Sequence, residues 1–154
     1  MSMFLGTHQN RFDAKGRVSI PASFRSALKS QAQPGEPLVI FRPSHLHPCI
    51  EGWPASAFSS LAQPLDEYDP FSDDHEDLAT SLYADAYPLD SDKEGRIILP
   101  DVLKTHADLS DDVSFMGLGR IFQIWNPQTA AERREQARAR ARTLTSRRRP
   151  AGDV

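Results

Sequence analysis

Two short polar stretches carry the side chains in this chain best suited to gripping an anion. Asp13-Ala14-Lys15-Gly16-Arg17-Val18-Ser19-Ile20-Pro21 returns 79 residues later as Asp92-Lys93-Glu94-Gly95-Arg96-Ile97-Ile98-Leu99-Pro100. Asp, Gly, Arg and Pro recur at the same places, so the chain is a tandem repeat. A guanidinium fixed beside a glycine turn presents a planar fork that suits phosphate or the O6/N7 edge of guanine, and Lys15 adds a point charge without sequence information. The second copy differs in one way that matters. Glu94 stands where Lys15 stands, which puts an acid beside Arg96. The residues alone leave two roles open for Arg17 and Arg96: contact with a polyanion, or pairing with Asp13 and Asp92 to hold the turn. Asp13 and Asp92 read as turn-formers, because a carboxylate near phosphate is repulsive and Asp side chains bond backbone N–H groups nearby. Gly16 and Gly95 supply the positive φ that the turn requires.

A second set of chemically capable residues is His45, His47, Cys49 and Glu51, which alternate and on a strand would share a face. That spacing invites a metal. Pro48 interrupts the run, ligands in succession on one strand converge poorly, and no other cluster completes a shell, so the expectation is no metal and no cofactor. Cys49 reads as a small buried residue. No glycine loop for phosphate and no nucleophile paired with a base is recognisable, which argues against an enzyme and a small-molecule substrate.

The elements that position these residues can be taken in order. Phe4 to Phe12 reads as a strand entering the first turn. Val18 and Ile20 fall on one face at period 2, and Pro21 opens a short helix that buries Phe24, Ala27 and Leu28. On that helix Arg25 and Lys29 form either a solvated face or phosphate contacts. Leu38 to Phe41 is a strand broken by Arg42-Pro43-Ser44, and Leu46 to Trp53 is another. The second copy repeats the order with strands at Ala86–Asp90, Arg96–Leu99, Val113–Met116 and Ile121–Trp125, a helix from Pro100 to about Ala107, and a hairpin loop at Gly117–Arg120. Trp53-Pro54 is answered by Trp125-Asn126-Pro127. Between the copies, Ala55 to Leu65 and His75 to Ala84 read as helices flanking an acidic, proline-broken segment. Gln128 to about Thr145 reads as a helix whose apolar side is almost only alanine, followed by a frayed end from Ser146.

Composition fits an ordinary soluble protein of 154 residues with a net charge of −3. The charge is polarised. Residues 131–154 carry eight arginines and three acids, +5, so the remainder carries −8, with eleven acids between Asp66 and Glu94. The arginine-rich end would attract DNA or the acids of a neighbouring copy, and the middle would repel DNA. One cysteine excludes an internal disulfide, and neither a leader nor a membrane-spanning run is evident, so a cytoplasmic protein is expected.

The paired turns, each inside a β-β-α-β-β unit, resemble the AbrB-type swapped-hairpin DNA-binding domain. Two such units in one chain, with Met3-Phe4-Leu5-Gly6, His47-Pro48-Cys49 and Trp53-Pro54, are similar to the MraZ family of bacterial transcriptional regulators over roughly residues 3 to 145. The resemblance implies an α+β, mostly β fold in which the units interleave as a pseudo-dimer. It divides the chain into an AbrB-like domain at 7–54, a helical acidic linker at 55–82, a second AbrB-like domain at 83–126 and an Arg-rich helix and tail at 127–154. It implies a ring-like homo-oligomer, nucleoid-associated, that binds double-stranded DNA at repeated promoter boxes upstream of the operon for cell division and cell-wall synthesis. The family's DNA-contacting turn maps onto Asp13, Lys15, Gly16 and Arg17, with Arg17 as the leading contact; in the second copy Arg96 is the corresponding candidate, with Glu94 beside it. Two rival readings are an antitoxin-like interaction module and a structural ring without DNA affinity.

Overall fold

The glycine turn after the first strand decides the topology, because it directs the chain away from that strand instead of folding it back. A computed structural model describes residues 3–144. Strand β1 (Thr7–Arg11) and strand β2 (Arg17–Ser19) flank the first turn yet belong to different sheets. Helix α1 (Ala22–Gln31) follows, then β3 (Val39–Pro43) and β4 (Ile50–Trp53). The linker contains α2 (Ala55–Phe58), a 3-10 stretch (Ser59–Glu67) and α3 (Asp73–Tyr83). The second unit supplies β5 (Tyr87–Leu89), β6 (Arg96–Ile98), α4 (Asp101–His106), β7 (Asp112–Gly117) and β8 (Phe122–Trp125), and α5 (Pro127–Leu144) ends the described chain.

The two units exchange strands. In the larger sheet the order is β1-β7-β8-β4-β3-β5, so the first unit's β1 lies on the second unit's β7 and the second unit's β5 lies on the first unit's β3. The centre of the sheet is the pair β4–β8, with Ile50 opposite Ile124. A separate two-stranded ribbon pairs β2 with β6, Val18 opposite Ile97. The chain is thus an α+β protein of two interleaved swapped-hairpin units, a pseudo-dimer within one polypeptide.

A two-stranded ribbon of three-residue strands has too little ladder to stand alone. Its inner face supplies the rest. Val18, Ile20, Ile97 and Leu99 are at most 2% exposed and join one core with Phe24, Leu28, Phe41, Leu103, Phe115, Phe122 and Ile124. Phe24 of α1 sits among aromatic neighbours from both units, edge-on to Phe4 at 5.4 Å between centroids and tilted on Phe122 at 5.3 Å. Among the described residues, proline precedes or opens every α-helix except α3: Pro21, Pro54 and Pro100 as caps and Pro127 as the first residue. Its fixed φ suits a helix start, where a missing N–H costs no bond.

Several expected boundaries move. Phe4 stays outside β1 as an isolated bridge to Gly119, because Gly6 takes φ +84° and bends the chain between them. Arg42 and Pro43 do not break β3. Pro43 ends it beyond the residues paired with β5, and buried Arg42 donates from Nη1 to Glu51 Oε1 (2.9 Å) and from Nη2 to the Ser81 carbonyl (3.0 Å), fastening α3 to the sheet. Leu46 to Pro48 form a loop instead of strand, since Ser44 Oγ accepts from the amides of Leu46 and His47 (3.1 and 3.2 Å). The expected helix over Ala55–Leu65 is split, because Pro64 lacks the N–H a continuous α-helix needs and the segment tightens to 3-10 geometry. Helix α3 starts earlier than expected. Ser72 Oγ accepts from the His75 amide (3.1 Å), and Asp73, Asp74 and Glu76 occupy the positive end of the helix dipole, which gives part of the acidic run a structural role. Helix α5 buries only Ala130, against Trp125 and Cys49, and its later turns are solvated as the alanine pattern predicts. The expected frayed end from Ser146 lies outside the described residues.

Gly52 faces Phe122 across the β4–β8 ladder, and a Cβ there would lie 2.6 and 2.8 Å from the two ε carbons of that ring. The ring is fully buried and cannot retreat. Gly52→Ala is therefore expected to destabilise the protein by about 1–3 kcal/mol through overpacking. Chemical denaturation checks this, and Phe122→Leu in the Gly52→Ala background should recover part of the loss.

Candidate nucleic-acid interface

Each repeated turn is built by its aspartate. In the first, the Asp13 amide donates to the Arg17 carbonyl (2.8 Å) and the Gly16 amide to the Asp13 carbonyl (3.0 Å). Asp13 Oδ1 accepts from the amides of Lys15 (2.9 Å) and Arg17 (2.8 Å), while Oδ2 accepts from Arg17 Nε (2.7 Å). The second turn repeats this bond for bond with Asp92, Glu94, Gly95 and Arg96. Gly16 and Gly95 have φ of +78° and +79°. The backbone amide of Arg17, and of Arg96 in the second turn, holds the Asp13 and Asp92 carboxyls below the usual value, with the guanidinium bond adding to it. Both aspartates are thus occupied in shaping the turn.

Of the two roles left open for the arginines, pairing with the local aspartate is the one the geometry shows. Each uses its Nε on the local aspartate, which fixes where the fork points. What remains differs between the copies. Arg17 has no partner besides Asp13 among the described residues. Arg96 also donates from Nη2 to Glu94 Oε2 (2.6 Å), and its Nη1 lies 4.0 Å from Asp13 Oδ2. Three carboxylates surround it, and the bond to Asp92 above all raises its pKa further. The β2–β6 ladder sets Arg17 opposite Ile98 and Ser19 opposite Arg96, so all four share the ribbon's outer face, and Asp13 stands between the two guanidinium groups.

Sequence reasoning missed a second inequality. Arg25 does not simply line the outer side of α1: it crosses to the other unit, donates from Nη1 to the Glu94 carbonyl (2.8 Å) and lies over Gly95, where an added Cβ would overlap its guanidinium. Its repeat counterpart 79 residues on, Lys104, makes no such brace and instead sits 4.8 Å over the Phe12 ring. Gly16 consequently has open space around it, and Lys15 is exposed. Aligning the two helices in register would have exposed this Arg/Lys difference. Lys29 is exposed at the end of α1, as expected.

The alternating His45, His47, Cys49 and Glu51 do not share a face. Only Glu51 lies in a strand, where it binds Arg42 and accepts from Trp53 Nε1 (3.1 Å). His45 is exposed in the loop. His47 rests on Trp125, 5.7 Å between centroids, where burial and then the Arg133 charge lower its pKa. Burial pushes the Cys49 thiol up to about 12, which keeps it protonated. Among the described residues no group of three or more His, Cys, Asp or Glu could hold a metal ion, and no helix is long and apolar enough to cross a membrane. The basic face of α5 is tied in part by Arg138 to Glu135 (2.8 Å), while Arg147, Arg148 and Arg149 lie outside the described residues.

The repeat seen in sequence and fold is matched by known proteins. A family model described as "MraZ protein, putative antitoxin-like" matches residues 3–81 and again 82–148. The chain is 83% identical over 151 residues to a protein named transcriptional regulator MraZ of Gluconobacter oxydans, covering 98% of this chain and 92% of that one. A protein of the same name from Gluconacetobacter diazotrophicus is 68% identical over 144 residues, 94% of this chain and 91% of that one. Another from Azorhizobium caulinodans is 40% identical over 150 residues, 95% and 94% of the two chains. With both halves matched and relatives aligned along nearly the whole length, the chain belongs to the MraZ family.

Proposed function

We propose that the protein is a transcriptional regulator, not an enzyme, that holds double-stranded DNA through its first turn. Arg17 is the leading contact, Lys15 adds attraction to phosphate, and Gly16 lets the backbone approach. The observation that carries this reading is the inequality of the two arginines: Arg17 is aimed by one aspartate on an open turn, whereas Arg96 is surrounded by Asp92, Glu94 and Asp13. The relatives' name, transcriptional regulator, supports the class of function. On this reading Arg96 contributes less, and Asp13, Asp92 and Gly95 hold geometry without touching DNA. The finer targets follow the family resemblance: repeated boxes upstream of the operon for division and cell-wall synthesis, engaged by several turns of a ring-like homo-oligomer on the nucleoid. One turn offers few contacts, and repetition of the turn on matching boxes raises effective concentration.

A second reading comes from the family's antitoxin-like description, in which the chain would sequester a small protein. A stoichiometric partner recovered with the purified protein, and no shift of DNA migration, would favour it over the first.

Binding to DNA from immediately upstream of its own gene, compared with a shuffled duplex over a salt series, tests the proposal. Arg17→Ala is expected to weaken the native duplex by roughly 10- to 100-fold, with a much smaller effect of Arg96→Ala. Equal affinity for both duplexes, unchanged by Arg17→Ala, would sink the assignment of the turn. Lys15→Ala should weaken all sequences alike and lower the salt slope by about one per engaged turn. Glu94→Lys tests the inequality in the opposite direction: it removes the carboxylate on Arg96 Nη2 and places a lysine where the first turn has Lys15, with the Arg25 brace over Gly95 kept, and is expected to raise both affinity and salt slope. Unchanged binding in Glu94→Lys would mean that the second turn lies away from the duplex.

A further inference from the structure

One side chain on the ribbon's outer face has no role in the fold or in a grip on phosphate. Ile98 stands directly opposite Arg17 in the β2–β6 ladder and is 63% exposed, while its chain neighbours Ile97 and Leu99 are each 2% exposed. Alternation along the strand fixes that orientation, so Ile98 gains little from burial where it stands. Its repeat counterpart, 79 residues earlier, is Ser19, which stands opposite Arg96. The two ends of the face therefore differ. One presents an arginine beside an isoleucine, and the other an arginine beside a serine with Glu94 at hand.

Ile98 lines one shallow hollow with Arg17, Arg96, Asp90, Asp92 and Leu89, where Asp90 Oδ1 accepts from the Leu38 amide (2.9 Å). Asp92 is engaged by its own turn, so the outward groups at the first end are the Arg17 fork and the Ile98 side chain. A two-stranded ribbon is of a size to enter the major groove of B-DNA, where the apolar group on the base edges is the C5-methyl of thymine. Directly opposed side chains on a ladder stand about 4.5–5.5 Å apart at Cβ, close enough to reach neighbouring bases. A β-branched side chain held stiffly at χ1 presents its methyl groups in one place.

We infer that Ile98 is a specificity-determining residue that packs on the C5-methyl of a thymine next to the group held by Arg17. The inference rests on the reading of the first turn as a DNA contact. It makes the first end of the ribbon sequence-selective as well as adhesive, and leaves the Ser19 end without an apolar contact to offer.

The experiment compares two duplexes of the same upstream sequence, one with thymine and one with uracil at every thymine position, which removes the C5-methyl groups and leaves base pairing intact. Wild type, Ile98→Ser, Ile98→Val and Arg17→Ala are titrated against both, with thermal melting and sedimentation of each variant. Wild type is expected to bind the uracil duplex about four-fold more weakly for each methyl lost from contact. Ile98→Ser should bind both duplexes alike, at the level of wild type on uracil, with melting unchanged because the position is exposed. Ile98→Val should keep part of the preference. A wild type indifferent to uracil, or an Ile98→Ser variant that retains the full wild-type preference, overturns the inference even where Arg17→Ala still abolishes binding. Arg17→Ala binding as tightly as wild type brings down the reading of the turn itself. A smaller assembly in Ile98→Ser with the thymine preference intact would assign Ile98 to contact between copies, and would equally overturn the inference.

Discussion

Neither half of this chain can bury its own second strand, and the architecture answers that constraint. Val18 and Ile20 from one unit and Ile97 and Leu99 from the other form the inner face of a ribbon that exists only because both strands are present. The ribbon in turn closes over a core whose phenylalanines come from both units. Exchange of β1 and β5 across the larger sheet follows from the same logic, since each unit's first strand has left its own second strand and must find another edge. A repeat of about fifty residues would have a marginal core, and interleaving two of them in one polypeptide gives a single body without the cost of association between chains.

On that symmetric frame the side chains have diverged in one direction. The backbone of the two turns is the same bond for bond, so the difference between them is chemical. Lys15 against Glu94, Lys104 against Arg25 and Ile98 against Ser19 all act alike: they leave the first turn open, cationic and partly apolar, and make the second braced and nearly neutral. Arg25 matters most here, because it lies across the glycine that an approaching backbone or phosphate would need. A true dimer of identical chains could not make this distinction, since every change would appear twice.

The repeat, the glycine turns, the buried alternation of Val18/Ile20 and Ile97/Leu99 and the order of elements were legible in the sequence, because they depend on local geometry and period 2. The asymmetry of Glu94 beside Arg96 was legible too. What the sequence hid was long-range. The cross-unit brace from Arg25 to Glu94 spans two units that only the strand exchange brings together. The loop at Ser44–Pro48 depends on a hydroxyl that closes it, which a β-rich run of side chains does not reveal. The buried pair of Arg42 and Glu51 was invisible for a similar reason: a charge at that place reads as a strand breaker until the carbonyl of Ser81 arrives from the linker to accept from Nη2, which leaves Nε alone without a partner among the described residues.

Rigidity has a consequence for how the turns can act. The two strands of the ribbon share one ladder, and Asp13 Oδ2 lies near both guanidinium groups, so one turn cannot move far without carrying the other. Local opening would expose Val18 and Ile97 together, a cost of roughly 3–6 kcal/mol for two fully buried aliphatic side chains. The second turn is therefore no independent arm that could swing to a distant site on the same duplex. On the proposed reading, additional contacts must come from other copies of the chain. Spacing between DNA sites is then set by how copies sit beside one another, and not by flexibility within a protomer.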